Sequence, residues 1–128
     1  MPLLTFDHPE LASRLNDPAT TLVVCLCADW CGTCRDYAPR FAELAARLPD
    51  NHVLVWLDIE DHAELLDDED VDNFPTLWVE SDGQLRFYGP MLPHIGQLED
   101  ILHRLRDGRY GGGAEGPDLR GALLAANG

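Results

Sequence analysis

The chain has 128 residues, of which 45% are hydrophobic, and 23 acidic against 9 basic residues give a net charge of −14. This length and apolar content predict one globular domain with its own core and exclude a disordered chain. The charge excludes nucleic acid and anionic membranes as partners, because both repel an acidic surface. No stretch approaches the roughly 18 consecutive apolar residues of a membrane span.

The first half of the chain predicts strands that alternate with helices. Its elements, in order, are an edge strand (2–6), a helix (7–16), a buried strand (19–28), a long helix (31–48) and a second buried strand (52–59). The strand runs ATTLVVCLCA and HVLVWLDI are almost continuously apolar, as in a sheet covered on both faces. Pro39 interrupts the long helix, and we expect a kink there.

The second half predicts a short helix, a hairpin and an amphipathic helix. Its elements are an acidic helix with a turn (62–71), two strands (75–81 and 84–89) and a helix (92–108). Asp82 and Gly83 supply the hairpin turn, and Gly108 closes the last helix. The order βαβαβαββα predicts an α/β fold with a central mixed sheet and helices on both faces.

The composition changes after residue 107. The run GGGAEGP is typical of a flexible linker, and DLRGALLAAN after it suits a short helix. We therefore predict a domain over residues 1–107 and a Gly-rich tail over 108–128. A frayed tail and a helix docked on the body or on a partner both remain open.

Two cysteines separated by two residues, in the run WCGTC, carry the clearest chemical signal. Cys31 falls where the long helix begins, so unpaired N–H groups and the helix dipole favour its thiolate. Cys34, one turn further, suits a resolving thiol that attacks the mixed disulfide and releases the product. Gly32 and Thr33, which lie between the two cysteines, help to set how easily a disulfide forms between them. A CxxC pair alone also makes half of a zinc site.

The runs ADWCGTCRDYAPRF, NFPTLWVESDGQ and FYGPM resemble the thioredoxin family in motif order and spacing, over about residues 3–107. The resemblance implies the thioredoxin fold and thiol–disulfide exchange. It places Pro75 at the family's cis-proline site, where a loop offers backbone to an extended substrate. The residues that it implies at the substrate groove are Trp30, Gly32, Thr33, Phe74, Pro75, Thr76 and Gly89.

The sequence departs from the family at four positions near the dithiol, one of which is Cys27, where the family has an aromatic residue. Thr33 replaces the usual proline, and its hydroxyl can solvate the thiolate, so we expect a less reducing pair. Cys25 occupies the position of the family's buried aspartate, and Trp56 that of its lysine partner. Replacing both charged residues of the family avoids a buried unpaired charge, which would remain if only one of them were replaced.

Cys25 and Cys27 point to the same face of their strand, because strand side chains alternate. Three interpretations remain open for these two residues. They are small buried apolar residues, or one of them exchanges with Cys34 to give an alternative disulfide, or all four cysteines bind a metal. The first is favoured, and Trp56 is expected to fill space that Cys27 leaves.

We expect a cytoplasmic, monomeric protein-disulfide reductase that serves cell redox homeostasis without a cofactor or metal. The absence of a secretory signal and the clustering of the cysteines favour the cytoplasm. Its partners would be proteins with disulfides and an electron donor, either a reductase or another dithiol protein. The alternatives are a thioredoxin-fold binding protein or co-chaperone, and a redox sensor in which exchange is secondary.

Overall fold

A computed structural model describes residues 3–4, 11–17, 19–28, 32–49, 51–58, 75–91, 94–110 and 113–127. The strands are β1 (Leu3–Leu4), β2 (Thr21–Cys27), β3 (His52–Asp58), β4 (Thr76–Ser81) and β5 (Gln84–Pro90). The helices are α1 (Leu11–Leu15), α2 (Gly32–Arg47), α3 (Ile95–Arg106) and α4 (Leu119–Asn127). The α/β class predicted from the sequence is confirmed.

The five strands form one mixed sheet in the order β1-β3-β2-β4-β5. The central strand β2 pairs in parallel with β3 and antiparallel with β4. All seven residues of β2 are buried, which is why its sequence shows no polar alternation. Helix α2 makes the crossover from β2 to β3, so the end of β2 and the start of α2 lie at one end of the sheet.

Each face of the sheet carries its own hydrophobic cluster, and helices cover both faces as predicted. Alternate residues of β2 go to opposite faces, so Val23 and Cys25 enter one cluster and Leu22 and Val24 the other. The helical residues of the first cluster come from α2 and α3 and include Phe41, Leu44, Leu98 and Leu102. Those of the second cluster come from α1 and α4 and are Leu11, Leu15, Leu119 and Leu123.

The residues predicted to form the hairpin turn and to end α3 have the positive φ angles that these positions require. Asp82 and Gly83 have φ angles of 55° and 75°, as a two-residue hairpin turn requires. Gly108, with a φ of 70°, follows α3. Its N–H and that of the next residue donate to the carbonyls of Leu105 and Arg104, which satisfies the free carbonyl groups of the last turn.

The C-terminal segment is a helix docked on the body, which is one of the two alternatives that the sequence left open. Leu119 and Leu123 are 0% and 1% exposed in the second cluster. The indole Nε1 of Trp78 in β4 donates to the carbonyl oxygen of Pro117 over 2.8 Å. The tail after residue 112 therefore contributes to the core, whereas the domain boundary at residue 107 stays a prediction.

The segment before α4 lies against β5. The N–H of Ala114 donates to the carbonyl oxygen of Leu85 over 2.9 Å, and the Tyr110 hydroxyl donates to the carbonyl oxygen of Arg86 over 3.0 Å. A Cβ added at Gly116 would lie 2.7 Å from the Tyr88 ring, so only glycine fits this close approach.

Several predictions concern parts of the chain that the structure does not describe. The predicted helix over 62–71 lies outside the described residues, as does the start of the first helix. Helix α2 runs through Pro39 as one element, and the kink there stays a prediction. No helix within the described ranges is long and apolar enough to cross a membrane.

Candidate redox site

The candidate site lies at the end of the sheet where β2 stops and α2 begins. Leu26, the second-last residue of β2, pairs with Thr76, the first residue of β4. On the other side, Cys27 pairs with Asp58, the last residue of β3. This edge of the sheet therefore brings together the ends of β2 and β3, the start of β4 and the first turn of α2.

Cys34 is bonded to Cys27 by a disulfide in the structure. Their Cα atoms are 5.8 Å apart, within the usual 4.4–6.8 Å range for a disulfide. Both residues are 1% exposed. Of the three interpretations of the extra cysteines, Cys27 thus follows the second, an alternative disulfide with Cys34. The favoured interpretation, that both cysteines are only small buried apolar residues, agrees with the buried free thiol of Cys25 but not with Cys27, because β2 ends within bonding distance of the first turn of α2.

Cys25 is a free thiol and is 0% exposed. Its Sγ lies 3.8 Å from the Sγ of Cys27, which confirms that the two side chains share one face of β2. Because the Cys27 sulfur carries no proton while it is in the disulfide, Cys25 is the donor of this weak hydrogen bond. Burial raises the pKa of Cys25, so its thiol keeps the proton at neutral pH.

Aromatic side chains surround the sulfur atoms. Trp56 stands beside Cys25 across the β2–β3 pair, and its ring centroid is 5.8 Å from that of Phe41. Trp56 packs against the first cluster, and its expected role in filling the space that Cys27 leaves stays a prediction. The Tyr37 ring lies 6.2 Å from that of Phe41, in the same cluster.

Tyr37 is the site residue that the sequence analysis missed. Its hydroxyl is buried and has no hydrogen-bond partner among the described residues. Burial raises the pKa of Tyr37, and the charge that Cys25 would carry as a thiolate raises it further. A helical pattern holds the signal, because Tyr37 follows Cys34 by three residues and precedes Phe41 by four, so all three share one face of α2.

The predicted groove residues that the structure describes lie at the same edge. Pro75 directly precedes β4 and is buried, and its carbonyl oxygen accepts a 3.0 Å hydrogen bond from the N–H of Met91. Gly89 pairs with Leu77 near the end of β5. Gly32 is exposed and Thr33 half-buried in the first turn of α2. Trp30, Cys31 and Phe74 lie outside the described residues.

The described part of the site can support disulfide chemistry. A disulfide needs no charged group to hold it, and the Cys25 thiol lies beside this one, 3.8 Å from the Cys27 sulfur. The described ranges hold no group of three or more histidine, cysteine or acidic residues that could bind a metal. A mixed sheet with a buried sulfur cluster where a helix begins defines the molecule as an α/β dithiol–disulfide protein.

The chain belongs to the thioredoxin family, because the family model described as Thioredoxin matches residues 3–92. A similar relative is the mitochondrial thioredoxin of Mus musculus, 31% identical over 101 residues that cover 77% of this chain. The match covers 60% of that relative, so the chain spans about three fifths of the length of the first curated relatives that it matches.

Solved structures confirm the thioredoxin fold. Oxidised thioredoxin O1 from Arabidopsis thaliana is similar with a TM-score of 0.66 and 19% identity, covering 81% of this chain and 97% of that one. Thioredoxin f2, solved in complex with ferredoxin:thioredoxin reductase, also reaches 0.66 at 18% identity, covering 82% and 96%. At 18% and 19% sequence identity, the similarity to these structures establishes the fold alone.

Proposed function

We propose that the protein is a thiol–disulfide oxidoreductase that reduces or exchanges protein disulfides. The observation that carries this proposal is the position of Cys34, whose sulfur lies in the first turn of α2 and is bonded to another cysteine. Membership of the thioredoxin family supports the same chemistry. A sulfur placed to form and break disulfides is what such an enzyme needs from its resolving residue.

Cys31 is the nucleophile in this proposal, and Cys34 resolves. The Cys31 thiolate attacks one sulfur of the substrate disulfide and releases the other sulfur as a thiolate. Cys34 then attacks Cys31 in the mixed disulfide and releases the reduced substrate, leaving an oxidised pair. The burial of Cys34 supports its resolving role, because a 1% exposed sulfur is poorly reached by a protein substrate.

The substrate groove proposed here consists of backbone and side chains around the same edge of the sheet. Pro75, with a cis peptide bond, would present backbone to an extended substrate, and Gly89 would border it. The position of both residues beside the start of β4 and the end of β5 supports this assignment. The other proposed groove residues are Trp30, Gly32, Thr33, Phe74 and Thr76.

A turnover assay tests the proposal. The full chain is given insulin as a protein disulfide and dithiothreitol as the electron source, and the release of insulin chains is followed by turbidity. We expect turnover that Cys31→Ser abolishes. Arg104→Ala, which changes an exposed pair on α3, should retain it. A folded wild-type protein without turnover would contradict the proposal.

A second candidate is a thioredoxin-fold binding protein or co-chaperone in which exchange is secondary. The observation that favours it is the pairing of Cys25 with Trp56 across the strands, at positions that carry charges in the family. Without the family's aspartate at position 25, proton transfer to Cys34 depends on water or on another group. Absent turnover combined with stable capture of a partner would favour this candidate.

We also propose that the protein is monomeric, acts in the cytoplasm in cell redox homeostasis, and takes electrons from a reductase or another dithiol protein. The free thiol of Cys25 suits a reducing compartment. Light scattering of the purified chain tests the oligomeric state, and cell fractionation with an antibody tests the location. Recovery in an organelle fraction would contradict the location.

A further inference from the structure

Cys34 has two possible sulfur partners, Cys27 at the end of β2 and Cys31, the other cysteine of the CxxC pair. We propose that Cys27 is a third redox-active residue, whose sulfur at the end of β2 competes with Cys31 for the sulfur of Cys34. The inference rests on the proposed function and adds a second disulfide state to it.

The geometry of the strand end and the helix start carries this inference. Cys27 is the last residue of β2, and Cys34 lies in the first turn of α2. With Cα atoms 5.8 Å apart, the two cysteines are bonded without any displacement of the strand or the helix. Both elements are held by the first hydrophobic cluster, which contains Cys25, Cys27 and Cys34. The alternative disulfide therefore belongs to the packed core.

The structure distinguishes Cys27 from its neighbour Cys25. Both residues face the same cluster, but the disulfide is made by Cys27, and Cys25 remains a thiol 3.8 Å from the Cys27 sulfur. Because Cys25 keeps its proton, it can donate a weak hydrogen bond to the Cys27 sulfur in the disulfide. The same donor stabilises the Cys27 thiolate when the disulfide opens. Cys25 thus assists the exchange and is not bonded in it.

The exchange needs no oxidant beyond the substrate of the proposed reaction. Turnover of a substrate disulfide leaves a Cys31–Cys34 disulfide, and the Cys27 thiolate attacks the Cys34 sulfur. The Cys27–Cys34 bond forms, the Cys31–Cys34 bond breaks, and its electron pair leaves on Cys31, which takes up the proton that Cys27 lost. The step is an isomerisation, in which nothing is oxidised or reduced overall.

This second state changes what Cys31 can do. With Cys34 held by Cys27, Cys31 is a thiol without a resolving partner, so a mixed disulfide that it forms with a substrate persists. The buried disulfide is 1% exposed at both residues, which shields it from large reductants. Attack by Cys31 on Cys34 reverses the exchange and restores turnover. The protein would therefore alternate between turnover and covalent capture of a substrate.

Peptide mapping tests the inference, because the sequence offers a cleavage site between the two cysteine pairs. The full chain is reduced, oxidised with oxidised glutathione, quenched in acid, alkylated and cut before aspartate residues. Cleavage before Asp17, Asp29 and Asp36 gives peptides 17–28 and 29–35. A Cys31–Cys34 disulfide stays within peptide 29–35, whereas a Cys27–Cys34 disulfide joins the two peptides.

We expect the cross-linked pair of peptides in the wild-type protein, with Cys31 alkylated. Cys27→Ala should abolish the cross-link. Cys25→Ala, its matched control on the same strand face, should retain it, because Cys25 is not bonded in the disulfide and its loss changes only the rate of the exchange. A wild-type digest with only the disulfide inside peptide 29–35 would overturn the inference. A cross-link that survives Cys27→Ala and disappears in Cys25→Ala would do the same.

The test stays decisive if a variant fails to fold. Fragmentation of the wild-type cross-linked pair breaks the chain on either side of Leu26 and so identifies the bonded cysteine of peptide 17–28. The insulin assay is run on the same preparation, which separates the two proposals. Turnover without any cross-link overturns this inference alone, whereas a cross-link without turnover supports the second disulfide and counts against the proposed enzymatic function.

Discussion

Arg120 of α4 forms an ion pair with Glu80 of β4, and the two side chains are only 17% and 10% exposed. The Arg120 guanidinium also donates to the carbonyl oxygens of Leu15 and Asp17, at the end of α1 and just after it. One side chain thus connects three elements on the same face of the sheet. It fixes the C-terminal helix over the second hydrophobic cluster.

We predict that Arg120→Ala lowers the free energy of unfolding by about 3 kcal/mol, because it leaves the Glu80 carboxylate buried without its partner. The measurement is urea denaturation of the full chain. Arg104→Ala removes an ion pair of similar length, Arg104 to Asp100 at 3.0 Å, but both side chains are 55% exposed. Its cost should stay below about 0.5 kcal/mol. Equal losses for the two variants would contradict the role given to Arg120.

Tyr37→Phe should leave the stability unchanged or raise it by about 1 kcal/mol, because it removes a buried hydroxyl that has no hydrogen-bond partner among the described residues. Tyr110→Phe is the matched control, since the Tyr110 hydroxyl donates to the carbonyl oxygen of Arg86. That variant should lose about 1 kcal/mol. Thermal and urea unfolding both measure the difference. A clear loss for Tyr37→Phe would mean that its hydroxyl is bonded in solution.

His52 should make the protein less stable in mild acid. Burial, and after it the positive charge of Arg106, lowers the pKa of His52 to about 4, although a hydrogen bond with Pro49 opposes the shift. The neutral ring shares a 2.9 Å hydrogen bond with Asn51 through Nδ1, and its buried Nε2 has no partner within the described ranges. Protonation of Nε2 would therefore bury a charge and a donor.

The direction of the effect follows from proton binding. Between about pH 6.5 and 4, the unfolded chain binds a proton at His52 that the folded chain does not, so stability falls as the pH falls through this window. We expect His52 to account for a loss of about 2 kcal/mol. His52→Gln should remove that part of the pH dependence in urea titrations at several pH values. Parallel curves for the variant and the wild type would refute the prediction.

Thr33→Pro should make the Cys31–Cys34 pair more reducing. Thr33 is half-buried in the first turn of α2, where its hydroxyl can solvate the thiolate and stabilise the reduced form. The potential is best measured against glutathione in a Cys27→Ala background, so that only one disulfide forms. We expect a value above about −270 mV with Thr33, and a fall toward it with proline. A wild-type value at or below that figure would rule out the effect.

The sequence predicted the strands, most helices and their buried faces, because periodic apolar patterns depend on neighbouring residues. The sequence leaves the Cys27–Cys34 pairing as one of three alternatives, since it depends on how closely a strand end approaches a helix start. The Arg120–Glu80 pair joins residues 40 positions apart, with no local pattern to indicate it. Tyr37 did carry a signal, the helical spacing from Cys34, and that signal was missed.

The segment that runs along β5 has a consequence for association between molecules. β5 is one outer strand of the sheet, and an outer strand exposes backbone groups on which another chain can build. Here the Ala114 N–H and the Tyr110 hydroxyl donate hydrogen bonds to two successive carbonyl groups of β5. At the opposite edge, the described strand β1 has two residues. The two hydrogen bonds to β5 cover that strand, so truncation before residue 110 should promote aggregation through β5.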